Sequence, residues 1–277
     1  MGDLRPGSRT LVESRTGTPQ SPSQEQTCRC QGSSRETSTP PASTDVLAVI
    51  PAWNECGRLP GVIADLRSHG VADILVVDDG SDDGTPDEAR RLGCTVISHE
   101  RNGGAGAAIR TGIEYALAGR YDVIVVVNAT GKTPARCIPG LVRPITTEGY
   151  DFVQGSRYIA GGRAANLPLH RSIGTRLHSA LFSLCLGRKV TEGTSGFRAF
   201  RVSILRDPGF RLGQSWLDGY ELEPYLYYRS VELGYRVKEA PVDIIYPESG
   251  RFTKMRVIVD WWRITRPLIY LRLGFRK

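Results

Sequence analysis

VIVVVNATGKTP, Val123 to Pro134, admits two readings that lead to different proteins. Five β-branched apolar residues run into small polar ones and then into Gly131-Lys132-Thr133. A phosphate-binding loop ends in that way, but it needs G-x-x-x-x-G-K-[ST]. The position of its first glycine is Val126, still inside the apolar run. Pro134 also disfavours helical backbone at the residue before it. The segment therefore reads as a buried strand with a polar tip, and a nucleoside-triphosphatase is excluded.

Working outward, similar short runs recur at Val46–Ile50, Ile74–Val77 and Cys94–Ser98. Short β-branched runs of this kind fit strands buried on both faces of a parallel sheet. Between them, Leu59, Val62, Ile63 and Leu66 repeat at helical spacing, and Ala105 to Ala118 is alanine-rich and periodic. Thr85-Pro86-Asp87-Glu88 reads as a helix start, with Thr85 as its cap and Pro86 in the first turn. The alternation predicts one α/β domain, a doubly wound, mostly parallel sheet with helices on both faces. In such sheets ligands bind beyond the carboxyl ends of the strands.

Residues 1–44 are rich in Ser, Thr, Pro, Gly, Gln and Arg and nearly lack apolar residues, so they are expected to form a disordered tail. The domain is expected at 45–250 and a basic amphipathic helix at 251–277. Of a net charge of +7, all lies in that last segment, where eight basic residues face Asp260 alone. A charge so localised argues against a nucleic-acid binder and for one basic surface. Six scattered cysteines with no C-x-x-C pair argue against zinc and for a reducing, cytoplasmic setting. No apolar stretch is long enough to cross a bilayer. Arg256, Asp260, Arg263 and Arg266 share one side of the final helix, with Trp261 and Trp262 adjoining. Such a helix suits peripheral contact with a membrane interface and equally suits packing on its own domain. Pro267 is expected to kink it.

The strand ends carry the chemistry. Pro51-Ala52-Trp53-Asn54-Glu55 follows the first strand, and Asp78-Asp79-Gly80-Ser81 the second. Paired carboxylates there suit ribose hydroxyls or a base amide. Asn102-Gly103-Gly104-Ala105-Gly106 opens a helix, where glycines allow close backbone approach and the helix N-terminus favours anions. It is not the G-x-G-x-x-G dinucleotide fingerprint.

The ordered series P-A-W-N-E, V-V-D-D-G-S-D-D-G-T, N-G-G-A-G-A-A-I-R-T-G, Gly155-Ser156-Arg157-Tyr158, Thr194-Ser195-Gly196-Phe197-Arg198 and Gly-Tyr-Glu-Leu-Glu resembles inverting family-2 glycosyltransferases of the GT-A fold. Within that family it most resembles dolichyl- and polyprenyl-phosphate mannosyl- or glucosyltransferases, over roughly Asp45 to Met255. The resemblance implies transfer of a sugar from a GDP- or UDP-linked donor to a lipid phosphate at the cytoplasmic face of a membrane. It implies nucleoside contacts from Pro51, Asn54, Glu55, Asp78 and Asp79, and close approach to the donor at Gly104 and Gly106. Arg157, Arg198, Arg251 and Lys254 are expected to meet phosphates or acceptor. Glu192, Glu221 and Glu223 are the candidate catalytic carboxylates. Glu221 and Glu223, two apart, cannot share one helical face.

In that family the strand matching Val123–Val127 ends in Asp-x-Asp, which holds a divalent cation on the diphosphate. Here Asn128-Ala129-Thr130 stands there. An amide and a hydroxyl are poor ligands for Mg²⁺ or Mn²⁺. No metal is therefore expected; Asn128 and Thr130 are expected to touch the substrate, and Lys132 to supply charge to the leaving diphosphate. Two alternatives stay open: a soluble small-molecule acceptor, and a non-catalytic subunit that binds a nucleotide-sugar.

Overall fold

A computed structural model of the chain describes residues 44–246 and 257–275. Four parallel strands come first: β1 (Val46–Ala52), β2 (Asp73–Asp78), β3 (Thr95–Ser98) and β4 (Val123–Val126). Helices α1 (Leu59–Ser68), α2 (Thr85–Arg91) and α3 (Ala105–Ala118) connect them, and α4 (Ile138–Thr147) follows β4. The second half supplies β5 (Phe152–Ser156), β6 (Arg163–Ala165), α5 (Leu169–Leu186), β7 (Arg198–Arg201), α6 (Leu222–Glu232), β8 (Val237–Pro241), β9 (Asp243–Ile245) and α7 (Val257–Arg272).

Among the described residues one seven-stranded sheet runs β3-β2-β1-β4-β7-β5-β8, with β7 antiparallel to both of its neighbours. β6 and β9 form a small parallel pair beside it. Continuous apolar runs arise because both faces of the sheet are covered. Leu47, Val49, Ile124 and Val126 point into the core shared with α3 and α6, while Ala48, Ile50, Val123 and Val125 point into the core shared with α1 and α4. Helix α3 lies close on β1, since a Cβ at Gly112 would collide with Val49 Cγ1.

The predicted sheet and its first three helices are present nearly residue for residue. At α2 the cap differs from expectation. The helix starts at Thr85, and the preceding Gly84 takes the left-handed backbone (φ 81°) as N-cap. Thr85 Oγ1 instead accepts the Glu55 N–H, and Asp83 accepts the Thr85 N–H.

Of the two placements expected for the final helix, the described residues show packing on the domain. Helix α7 is not a separate appendage: Ile264, Leu268 and Leu271 are buried, and it packs on α5 and α6. Its basic stripe turns inward, with Arg263 and Arg266 both reaching Glu221. The stripe meets a buried carboxylate, which outcompetes solvent for it. The helix runs on through Pro267. No described helix is long and apolar enough to cross a membrane. The expected tail lies outside the described residues except for Thr44, and Arg251 and Lys254 lie outside them too.

Candidate active site

Two adjoining cavities open at the carboxyl ends of β1, β2 and β4. They share Glu55, Asn128, Thr130 and Tyr220 as a common wall. The first is walled by Pro51, Trp53, Asp79, Asn102 and Gly104, and by Asp260 and Arg263 from α7. The second is walled by Lys132, Arg157, Arg171, Glu223, Tyr246 and Trp261.

Hydrogen bonds lace the loops of the first cavity together. Asp79 Oδ1 accepts the Gly103 N–H at 2.9 Å, and Oδ2 accepts the Gly104 N–H at 2.7 Å. His99 Nδ1 donates to Asp79 at 2.7 Å and its Nε2 lies 2.9 Å from Thr111 Oγ1. Asp79 therefore holds the glycine loop in place and forms part of the wall through it. Asp78 does not reach the cavity; its carboxylate accepts the Ser81 N–H at 3.2 Å. Asn54 is also behind the wall, with its N–H bonded to Ser81 Oγ and its Oδ1 to the Asp82 N–H. Both residues were expected on the nucleoside; their bonds to Ser81 and Asp82 brace the loops after β1 and β2. Gly104 and Gly106 are likewise corrected in part. A Cβ at Gly104 would lie 2.5 Å from the Asp218 carbonyl oxygen, and one at Gly106 would strike the Leu217 carbonyl. The backbone they admit belongs to the segment before α6, whose Asp218 carbonyl accepts the Ala107 N–H at 2.9 Å. Gly104 also stays in the cavity wall.

The second cavity gathers positive charge. β9 pins the loop after β4, since the Ile245 N–H bonds the Lys132 carbonyl at 2.8 Å. That register brings Lys132 Nζ to 5.5 Å from the centre of the Tyr246 ring, which Arg171 also approaches at 5.7 Å. Burial first, and then the charge of Arg171, pulls the Lys132 ammonium down to about 8. Arg157 is fixed from two sides: its Nε donates to Glu192 at 2.5 Å and its Nη1 to the Tyr246 hydroxyl at 2.9 Å.

The carboxylates divide by role. Glu223 faces the second cavity 3.5 Å from Arg198. Burial lifts its carboxyl above the ordinary range, with Arg198 opposing. A Cβ on Gly196 would lie 2.7 Å from Glu223 Oε1 and 2.9 Å from Asn128 Oδ1, so this glycine lets the carboxyl and the amide meet across it. Glu221 points the other way, to Arg266. Glu192 is fully buried, bonded to Arg157 and to the N–H and hydroxyl of Thr194. Arg198 is buried too, donating to the carbonyls of Ser195 and Glu223. Glu192, Glu221 and Arg198 were expected to act on substrate. The structure makes them positioning residues: none of the three lines either cavity, and Glu192 and Arg198 instead hold the wall residues Arg157 and Glu223 from behind.

Sequence reading missed Arg171, Tyr220, Tyr246, Trp261, Asp260 and Arg263 as wall residues. Tyr220 spans both cavities, and burial with nearby Asp260 and Glu223 pushes its hydroxyl up to about 12. These residues lie on helices and strands far apart in sequence, and no local pattern marks them. The one signal at hand was the final basic stripe, whose Arg263 does face the first cavity.

A cleft beyond the carboxyl ends of the parallel strands, with a loop-braced half and a half lined by Lys and Arg, is where an open α/β sheet binds its ligand. The glycosyl transferase family 2 model matches residues 47–208, and the chain belongs to that family. It is a glycosyltransferase. It is 33% identical to undecaprenyl-phosphate mannosyltransferase of Micrococcus luteus over 74% of this chain and 85% of that one. To polyprenol monophosphomannose synthase of Mycolicibacterium smegmatis it is 30% identical, over 80% and 85%. Its GT-A-like fold is shared with glucosyl-3-phosphoglycerate synthase from Mycobacterium tuberculosis, crystallised with Mn²⁺, UDP-glucose and phosphoglyceric acid. There the TM-score is 0.62 at 22% identity, covering 85% of this chain and 82% of that one.

The tip of β4 offers a divalent metal no carboxylate. At the tip of β4 the cavity walls offer Asn128 and Thr130, neutral donors. Among the described residues no three His, Cys, Asp or Glu side chains stand together as a metal site.

Proposed function

We propose that the enzyme transfers a sugar from a nucleotide-sugar to a polyprenyl or dolichyl phosphate, without a metal. One observation carries this reading: Lys132, Arg157 and Arg171 converge on the cavity next to the nucleotide cavity. Three cations there suit an acceptor that is a dianion. The names of the relatives above support a lipid phosphate as that acceptor.

The donor's nucleoside lies in the first cavity, against Pro51, Trp53 and the loop that Asp79 braces, and its diphosphate reaches Asn128 and Thr130. An oxygen of the acceptor phosphate attacks the anomeric carbon from the second cavity. The bond from that carbon to the diphosphate oxygen breaks, and the nucleoside diphosphate leaves with the electron pair. The nucleophile is already anionic, so no base need remove a proton. Two anions must instead be held side by side, and preorganised positive charge does that. Arg263 and Lys132 serve the diphosphate, and Lys132 with Arg157 and Arg171 the acceptor.

A soluble phosphorylated acceptor is the second reading, since the same cations would serve it. The test is a labelled donor panel offered polyprenyl phosphate, polyprenol and a small phosphorylated acid. Product with polyprenyl phosphate alone supports the proposal. Product with polyprenol as readily would remove the phosphate from the account.

A further inference from the structure

Among the described residues, nothing covers an apolar face of helix α5. Leu169, Ile173, Leu177 and Leu184 are between 59% and 77% exposed. With the exposed Ala180 they fall within an arc of about 80° at helical pitch. Single exposed leucines are ordinary, but four in one stripe along an 18-residue helix are not. The helix carries no Asp or Glu. Arg176 is exposed beside the stripe, its guanidinium over the Tyr158 ring, and Arg188 and Lys189 are exposed just past the helix end.

We infer that this face of α5 lies on an anionic lipid surface. The inference deepens the lipid-phosphate reading and rests on it. Apolar side chains in one stripe, flanked by arginine and lysine and free of acid, match a headgroup boundary, where the chains enter the acyl edge and the cations meet phosphates. A second copy of the chain matches poorly. Arg176 stands beside the middle of the stripe's length, so an antiparallel two-fold pairing of α5 with itself sets Arg176 near its own mate. No acid on α5 is there to relieve them.

The placement also has a use. Arg171 and Thr175, which line the cationic cavity, project from the opposite side of α5. The cavity thus stands one helix diameter, ~10 Å, above the lipid surface. A phosphate on a long prenyl chain rises that far with its first isoprene units still beside the helix. The membrane contact expected of the basic C-terminal stripe falls instead to α5.

The test is flotation of the full chain with vesicles of equal parts phosphatidylglycerol and phosphatidylcholine, at low and high salt. Ile173→Glu and Leu177→Glu change exposed positions away from both cavities. Each should lower vesicle binding ten-fold or more while leaving the melting temperature and nucleotide affinity unchanged, and high salt should weaken binding of the parent. Variants that float like the parent would overturn the assignment. So would a parent that fails to float and sediments as a dimer that Leu177→Glu splits. Flotation that depends on α5, with no transfer to polyprenyl phosphate in detergent, would uphold the surface and sink the acceptor reading. Transfer in detergent by a protein that ignores vesicles would do the reverse.

Discussion

Arg266 of α7 donates to Glu221, the residue before α6, at 2.5 Å, and Glu221 is only 1% exposed. A carboxylate so buried depends on its partner. Removing one member of a buried pair strands the other, at a cost of about 3–5 kcal/mol. Here Arg263 remains 3.5 Å away as a partial substitute. Arg266→Ala should therefore lower unfolding free energy by about 2–3 kcal/mol, read by urea denaturation. Adding Glu221→Gln should recover part of it. Unchanged stability would mean that α7 is not clamped to the domain.

Asp79 holds two backbone N–H groups of the glycine loop and His99 at once. Asp79→Ala should weaken binding of UDP or GDP by about 1–3 kcal/mol through the loosened loop, as measured by calorimetry. Asp79→Asn, which keeps one acceptor, should fall between. Equal affinity in all three proteins would detach this loop from the nucleotide.

Much of this was legible in the sequence, and the reasons are local. Strands buried on both faces must read as unbroken apolar runs, and helices α1 to α3 show their period because one side of each is buried. The failures share a different cause. Glu192 and Arg198 look like catalytic groups in a linear motif, yet each is neutralised by a residue that sequence cannot place beside it. A helical wheel gave the angle of the basic stripe on α7 correctly but not what lies opposite. Lys132 became a cavity residue only because β9 bonds its carbonyl, and Tyr246 arrived with β9.

Lys132 gives a pH dependence with a definite sign. Burial, with Arg171 nearby, depresses its ammonium to about 8. Below that pH it is charged and holds an anion; above it the charge is lost. Affinity for a phosphate-bearing acceptor should fall as pH rises through about 8, by up to ten-fold per unit, the slope of one proton. Lys132→Arg should flatten the profile, because guanidinium keeps its charge. A Lys132→Ala profile with the parent's slope would assign the proton to another group.

Arg263 is the one cation among the described residues that line the first cavity, against Glu55, Asp79 and Asp260. Charge placed there matters to a diphosphate and little to a nucleoside. Arg263→Gln should cost about 1.5–3 kcal/mol in affinity for a nucleoside diphosphate, the range for a hydrogen bond to a charged group. Nucleoside binding should stay level. A loss equal for both ligands would indicate a disturbed helix α7 rather than a missing contact.

The transfer assay in EDTA bears most directly on the whole account. Purified full-length enzyme, polyprenyl phosphate in detergent and labelled nucleotide-sugars are incubated with chelator, with and without the change Lys132→Ala. The expected result is label in the organic phase for at least one donor, undiminished by EDTA, with Lys132→Ala slower by an amount equivalent to about 2–4 kcal/mol. Activity that vanishes in EDTA and returns with Mn²⁺ would contradict it, and would show that this cleft recruits a metal.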